Sequence, residues 1–472
     1  MLPDVRVKIT DGGLGILPPS LAGKHAKVGV CSLGNVNEIV ILTDRDQVAG
    51  ALGTGPLANA CYDHLTEGGL VYAVRAAGDV AGEIGEITKT GTGTGNMTAA
   101  GSPLDNYQII VEILDAGGLN VATFRYTLDG GDTYSPKITV PTAGTYVISG
   151  TGITLTFTIE EGTPFAAGDK YSFNPTAPQA SINSINAAID ALLNSNYTYE
   201  KIHVVGPSDN SVWAALDIRA KDAESNFRYI SILAEARGPN AGETVDQWVA
   251  ALLEMRASFA STRVQVCAGR FELVDAFSGL LVDRNGAGIY SGRVAALPVQ
   301  SSPGKVNVGP LPGIVKLMPT GINEGHIQTL DEAGFITFRQ YVDLNGFYIT
   351  NGRMMAEVIS DYQFEETRRT MDKACRNCRI AALAFEHGEL EINEDGSINE
   401  GSLRSFEAHL QVPLDQMKAD KEVSGSKISI DRNQNILSTS KLKAKLRIIP
   451  IAIMREIELD IGLENPFITS NS

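Results

Sequence analysis

The chain is 472 residues long, more than one hydrophobic core can serve at the usual ~100 to 200 residues per domain, so several domains are expected. Its 39 Lys and Arg against 55 Asp and Glu leave a formal charge of -16, which argues against a nucleic acid or an anionic membrane as the main partner. No run reaches the ~18 to 20 apolar residues of a membrane span, Met1-Leu2-Pro3-Asp4 does not begin a secretory signal, and the 5 scattered cysteines fit reduced thiols in a cytoplasmic setting.

At the N-terminus, Val5, Val7 and Ile9 alternate with Arg6 and Lys8 until Asp11-Gly12-Gly13 ends the pattern, which predicts a strand on an arm and linker over residues 1–26. From Lys27 the text becomes α/β: strands Val28 to Cys31 and Ile39 to Leu42, a helix Asp44 to Leu52 capped by Thr43 or Asp44, and a helix Leu57 to Glu67 closed by Gly68-Gly69. Leu70 to Val74 follows as a continuously apolar, buried strand.

At Gly78 helical signals stop. Six short strand candidates, Tyr107 to Leu114, Val121 to Leu128, Lys137 to Val140, Tyr146 to Ser149, Thr154 to Ile159 and Lys170 to Phe173, predict an inserted Ig-like β-sandwich over residues 79–178. Ser181 then caps a helix, and alternating strands and helices up to Cys267 predict that residues 27–78 and 179–320 form one α/β core domain across the insertion. The Gly- and Pro-rich stretch Ala287 to Pro319 reads as an extended crossing loop. Residues 321–472 are expected to form an α+β assembly domain. Its elements are a helix His326 to Ala333, strands Ile336 to Val342 and Phe347 to Ile349, helices Asp361 to Glu386 and Gly401 to Met417, and two terminal strands.

Those last strands carry the strongest pattern in the chain. Lys441, Lys443, Lys445 and Arg447 alternate with Leu442, Ala444, Leu446 and Ile448, so one strand face is cationic and the other apolar. After Pro450, the residues Ile451, Ile453, Arg455, Ile457, Leu459 and Ile461 share one side, and Glu456, Glu458 and Asp460 the other. Strands at both ends of a chain either complete its own sheets or pair with an open sheet edge of another molecule, where main-chain hydrogen bonds supply affinity without a pocket.

Signals for chemistry are poor. The 6 histidines never fall at His-x-x-x-His spacing, and Cys375-Arg376-Asn377-Cys378 lies in a predicted helix with no second pair. Neither Gly23-Lys24 nor Gly304-Lys305 has the framework of a phosphate loop, and the Gly91 to Gly95 run precedes strands rather than a helix. No catalytic, cofactor-binding or metal-ligating residue is expected. Glu389, Glu391, Glu394 and Asp395 read as a solvated surface turn.

Two stretches together resemble contractile tail sheath proteins of phages and related injection particles. One is Ala60 to Arg75, with its helix, paired glycines and apolar strand ending in Arg75. The other is the C-terminal block, with Gly321-Ile322-Asn323, Ala333-Gly334-Phe335-Ile336, Gly346 to Arg353 and the closing Arg447 to Leu459. The chain departs from the commoner sheath pattern at Gly352-Arg353-Met354-Met355 and looks most like a divergent branch with a β-sandwich insertion. The resemblance implies a structural subunit, not an enzyme, that polymerises with itself into a helical cylinder around an inner tail tube and contracts to drive the tube through a cell envelope.

It also implies terminal strands exchanged between neighbours, a C-terminal domain facing the tube, and partners among baseplate and tail terminator proteins. The particle would be a virion or phage-tail-like body assembled in a bacterial cytoplasm, with no direct contact to nucleic acid and no membrane insertion. In that picture Val5, Arg6, Val7, Lys8, Ile9, Ile451, Ile453, Arg455, Ile457, Leu459 and Ile461 lie at subunit interfaces. Lys441, Lys443, Lys445 and Arg447 face the tube or a neighbour. A virion surface adhesin or decoration protein, and an α/β enzyme with an appended Ig-like domain, are the alternatives. The first explains the sandwich but not the basic strand; the second requires a polar constellation that the sequence does not display.

Overall fold

The structure, a computed structural model, describes residues 23–275 and 278–463. The chain divides into two compact units between Arg376 and Asn377. The N-terminal alternation from Val5 to Ile9 lies outside the described residues.

The first unit is organised by a sheet that the two halves of the α/β text build together. β1 (Lys24–Gly29), β2 (Ile39–Leu42) and β3 (Leu70–Arg75) come before the strand-only segment, with short helix α1 (Val48–Leu52) and α2 (Pro56–Glu67) between the last two. The segment itself holds β4 (Thr88–Thr90), β5 (Asn96–Gly101), β6 (Ile109–Asp115), β7 (Thr123–Thr127), β8 (Ile138–Thr139), β9 (Thr145–Ile148), β10 (Ile153–Thr158) and β11 (Lys170–Phe173). After it come α3 (Ile182–Leu193), β12 (Lys201–Ser208), α4 (Asn210–Ser225), β13 (Ser231–Ala236), α5 (Val245–Ala257) and β14 (Val264–Cys267). The order β14-β13-β12-β1-β3-β2 is parallel except for β2, and β1 is hydrogen-bonded to β12 on one side and β3 on the other. Helix starts follow their side-chain caps: Ser181 accepts from the Ser184 amide and Thr244 forms a capping box with Gln247.

The strand-only segment folds into a three-stranded sheet, β5-β10-β9, and a five-stranded sheet, β4-β11-β6-β7-β8. Met97, Val111, Phe124, Leu155, Phe157, Phe165 and Tyr171 fill a separate core. Its two ends run side by side, since the Val80 and Gln179 backbones exchange hydrogen bonds of 3.0 and 2.9 Å. β4 and β5 were not anticipated from the sequence, because their Thr, Gly and Asn residues carry little apolar alternation.

A third sheet of the first unit corrects the expected loop from Ala287 to Pro319. β15 (Arg270–Val274), β16 (Leu281–Asn285) and β17 (Ile314–Met318) pair in the order β16-β15-β17, and residues Ala287–Ala296 form helix α6. Glycine content misleads here because Gly288 and Gly292, four apart, let α6 lie directly on α2. A Cβ on Gly292 would stand 2.3 Å from the His64 carbonyl oxygen, and one on Gly288 3.0 Å from the Asp63 Cβ. Tertiary contact thus outweighs weak local propensity, and the helix is buried from Ala287 to Ala295.

Residues 321–376 also depart from the expected domain boundary. α7 (Glu324–Glu332), β18 (Phe338–Arg339) and β19 (Tyr348–Ile349) belong to the first unit. Leu330, Phe335 and Met355 complete the core under the central sheet, while Ile336, Phe338 and Ile349 join Phe271 and Tyr290 in a neighbouring one. Helix α8 (Glu365–Leu383) begins in the first unit and contains the boundary. The first strand among the described residues begins at Lys24, ahead of the expected start of the core domain at Lys27.

The second unit holds α9 (Glu400–Ala419), β20 (Val423–Ile430), short helix α10 (Ile436–Thr439) and β21 (Ala444–Pro450). β20 and β21 form a two-stranded antiparallel sheet, and α9 packs on β20 with Leu403, Leu410, Leu414 and Met417 buried. The expected second terminal strand does not form within the subunit. Residues 451–463 have no assigned strand and are exposed apart from the half-buried Ile453, with Ile457, Leu459 and Ile461 at 68%, 75% and 86% exposure. Pro450 lacks an amide hydrogen with which to continue the ladder, and the segment's apolar side has no core to cover it.

The contact of α6 with α2 generates a test. Gly292→Ala should lower thermal stability by about 1 to 3 kcal/mol, the usual cost of forcing added volume into a filled interior. Ala at Gly279, which has open space around it, should act only through its positive φ. Equal melting of Gly292→Ala and the parent protein, measured by calorimetry, would remove this account of α6.

Candidate functional site

The densest collection of chemically capable side chains lies on one face of the central sheet. In a parallel sheet covered on both sides, strands ordinarily read as apolar runs. On one face Ala26, Val28, Ile202, Val204, Ile232 and Val264 obey this rule beneath α3, α4 and α5. On the other face the register places His25 beside Lys201 and Lys27 beside His203, with Gln265 on β14 beyond Leu233. His25, Lys27, Lys201, His203 and Gln265 are all fully buried.

Each finds partners from α2, α6 and α8 or from the sheet itself. The His25 imidazole bridges the Ser291 hydroxyl at 2.8 Å and Glu200 at 3.1 Å, while His64 on α2 reaches the same hydroxyl at 3.0 Å. Lys27 donates to His203 Nδ1 at 2.8 Å, which requires that nitrogen to be unprotonated and leaves Nε2–H to donate to Glu235 at 2.9 Å. Lys201 pairs with Glu365 at the start of α8, whose carboxylate also receives the Tyr290 hydroxyl. Arg369 donates to Glu200 at 2.9 Å. Arg263 joins Glu224 at 2.6 Å to Asp372 at 3.3 Å.

Burial dominates the protonation of this cluster. It pushes His25 down to about 4 and His64 and His203 well below the usual imidazole value, lowers Lys27 to about 8, and raises Glu235 to about 7. Glu200, although fully buried, stays well below the normal carboxylate range because Arg369 and His25 favour its charged form. A perturbed cluster of this kind marks an active site when a cleft reaches it. Here the groups are closed off from solvent and bonded to one another, so the arrangement fastens α2, α6 and α8 to the sheet. The individual histidines gave no sequence signal. The signal is the alternation of Lys201 and His203 with Ile202 and Val204 along β12.

The other candidate is a surface. β21 pairs with β20 so that Lys427 lies opposite Arg447, Ser429 opposite Lys445 and Ile428 opposite Leu446. Lys441, Lys443, Lys445 and Arg447 are exposed, and Leu442, Ala444, Leu446 and Ile448 half-buried, so the alternation in the sequence becomes a cationic face and an apolar face. β20 adds Lys427 to the cationic face. The structure therefore places Lys445 and Arg447 on one side of β21, with Lys441 and Lys443 exposed just ahead of the strand. Of the residues assigned to interfaces, Ile451, Ile453, Arg455, Ile457, Leu459 and Ile461 follow directly from this sheet, whereas Val5, Arg6, Val7, Lys8 and Ile9 lie outside the described residues.

The buried cluster makes stability depend on pH. Below its ordinary value of 6.5 the unfolded chain takes up a proton at His25 that the folded chain refuses until about 4, so stability falls as pH drops through this window. At ~1.4 kcal/mol per unit, His25 alone is worth about 3 kcal/mol across it. His64 and His203 act in the same direction. Glu235 opposes them, because its folded carboxyl, raised to about 7, gains a proton first and is stabilising as pH falls toward its ordinary 4.5. With three imidazoles against one carboxyl, the calorimetric midpoint should decline from about pH 6.5 to 4, and His25→Asn should flatten that slope. An unchanged slope in the variant would assign the acid lability to other groups.

Comparison with known proteins places the chain in a family and relates its fold to solved structures. Residues 2–353 match the N-terminal domain of the DUF2586 family, and residues 361–468 match its C-terminal domain. Over 150 residues the chain is 31% identical to a protein of Haemophilus phage HP1 provisionally named a tail sheath protein, a match spanning 30% of this chain and 37% of that relative. The fold is similar to that of the sheath in an extracellular contractile injection system solved in its contracted state, with a TM-score of 0.56, 10% identity and 98% of both chains covered. It is also similar to the sheath tail protein of Desulfitobacterium hafniense, with a TM-score of 0.50, 13% identity and 95% and 100% of the two chains covered. The chain belongs to the DUF2586 family, and the proteins it resembles in sequence and in fold are tail sheath proteins.

Proposed function

We propose that this chain is the structural subunit of a contractile tail sheath, polymerising as a helical cylinder around an inner tail tube and contracting to drive the tube through a target envelope. One observation carries the reading. A segment with the alternation of a strand, Ile451 to Ile461, has no assigned strand and, apart from the half-buried Ile453, is exposed, following a sheet of only two strands. A two-stranded sheet is marginal by itself and gains stability from added strands. A neighbour's terminal segments supply them, with Val5 to Ile9 at one end of the chain and Ile451 to Ile461 at the other as the exchanged arms. Backbone pairing of this kind links subunits while leaving their bodies free to rotate, which a sheath that changes pitch requires. The cations Lys441, Lys443, Lys445 and Arg447 then face the tube or a neighbour.

In the same reading, residues 79–178 are an inserted Ig-like domain on the outer face of the sheath. A core of its own and ends that lie side by side support this. The other partners are the tube, the baseplate and the tail terminator, in a phage or phage-tail-like particle built in the bacterial cytoplasm.

Deleting residues 1–10 should leave a folded, soluble subunit with its thermal midpoint unchanged but no cylinders in negative stain. Ordered cylinders from the truncated chain would rule out exchange by this arm. Replacing residues 79–178 with a short Gly/Ser linker should leave the remaining chain folded and able to assemble, as judged by melting and microscopy. Unfolding of the remainder would make the segment part of the main core instead.

A further inference from the structure

We propose that the segment 79–178 is latched to the α/β core at a second point, by Asp105 against α2, so that segment and core move as one rigid body. The latch belongs to the single subunit and does not depend on assembly into a sheath.

The entry and exit of the segment form a narrow ribbon. Beyond the Val80 and Gln179 pair, the Thr176 amide donates to the Glu83 carbonyl oxygen at 2.8 Å and the Glu83 amide to the Thr176 hydroxyl at 3.1 Å. The two chains are so close that a Cβ on Gly82 would stand 2.2 Å from the Thr176 carbonyl oxygen. At the base of the ribbon Asp79 accepts from the Ser181 amide at 2.7 Å and from the Ser181 and Ser184 hydroxyls at 2.6 and 2.9 Å, which ties it to the start of α3. Two extended chains paired only with each other are marginal in water, and bodies joined by such a connection ordinarily move against one another. By itself the ribbon is a hinge.

The connection between β5 and β6 removes that freedom. It is fixed to the segment, because the Ser102 and Leu104 amides donate to the Gly152 and Thr151 carbonyl oxygens at 3.1 and 3.0 Å. It is fixed to the ribbon, because the Tyr107 amide donates to the Pro175 carbonyl oxygen at 3.1 Å and the Asn106 side chain accepts from the Ala177 amide at 2.9 Å. It also reaches the core: the Asn59 side chain on α2 donates to the Asp105 carboxylate at 2.6 Å. Beside this bond, a Cβ on Gly55 would stand 3.1 Å from the Leu104 carbonyl oxygen, so the connection lies directly on the start of α2.

Asp105 is half-buried. Burial pushes its carboxyl up, while Arg284 and the hydrogen bond from Asn59 favour the ionised form. Arg284 on β16 is itself bonded to Asp63 of α2 at 3.2 Å and lies 3.2 Å from Asp275, so the latch sits where α2, the third sheet and the segment come together. Bonds to a carboxylate are stronger than neutral ones, which suits Asp105 to hold a contact of this kind. A ribbon anchored at α3 and a connection anchored at α2 hold the segment to two separate elements, and rotation about either is blocked. A load on the segment then passes to α2 and, through Gly288 and Gly292 of α6, to the interior of the first unit.

The test is hydrogen exchange of the full chain, followed by mass spectrometry of the peptides covering residues 78–87 and 174–181. Asp105→Ala and Asn59→Ala should each speed exchange of these ribbon amides roughly tenfold, since a bond that keeps the ribbon closed is gone, while β1, β3, β6 and β11 keep their parental protection. Asp105→Asn retains an acceptor oxygen for Asn59 and should stay close to the parent chain. Parental exchange in the ribbon of Asp105→Ala would overturn the latch, and so would an asparagine variant as loose as the alanine one. Faster exchange in β1 and β3 of the alanine variants would overturn it differently, by making Asp105 part of what folds the core instead of a fastening between two bodies.

Discussion

The first unit depends on the neutralisation of a charged sheet face that no water reaches. Lys27, Lys201, His25 and His203 project from the two central strands of a parallel sheet, where ordinary sequences place valine and isoleucine. Taking such groups out of water costs several kcal/mol each unless geometry and hydrogen bonds compensate, so this face tolerates only one arrangement of what covers it. Glu365 from α8, Glu200 and Glu235 from the sheet and Ser291 from α6 are the compensating groups, and Arg369 from α8 in turn pairs with Glu200. Replacing the whole network by apolar residues could leave stability unchanged. Removing one partner strands a buried charge.

Close packing of α6 follows from the same constraint. Ser291 and Tyr290 must reach the sheet while the buried Arg293 pairs with Glu67 at the end of α2, which it meets at 2.7 Å. Between them Gly288 and Gly292 hold the α2 side of the helix free of Cβ atoms. The helix is therefore shaped by its neighbours on several sides, and its short, glycine-containing sequence would not sustain it in isolation.

The second unit follows a different physics. Its two-stranded sheet has one apolar face over α9 and one cationic face in solvent, with open edges on both sides among the described residues. Exposed edges of long strands are a hazard that proteins normally blunt with charge or a proline, and here both devices occur, in the lysines and in Pro450. Under the sheath reading proposed above, these same charges discourage pairing with unmatched strands.

Local rules were enough for much of the architecture. Caps at Asp44, Ser181 and Thr244, paired glycines after Glu67, and continuous apolar runs such as Leu70 to Val74 announce their elements because the interactions responsible lie within a few residues. The period-two pattern of Lys445 and Arg447 against Ala444, Leu446 and Ile448 likewise carries into three dimensions, since strand pleating alone separates its faces, while Lys441 and Lys443 lie ahead of the strand. What only the tertiary structure decided is everything whose cause lies far away in the chain. The helix at Ala287 to Ala296 exists because α2 offers a surface for its glycines, and residues 321–376 join the first unit because Leu330 and Phe335 complete a core built by strands before them. His25 and His64 meet on Ser291, and Lys27 meets His203, although these residues are far apart in sequence, a convergence that only the parallel register of β1 and β12 and the docking of α2 can produce.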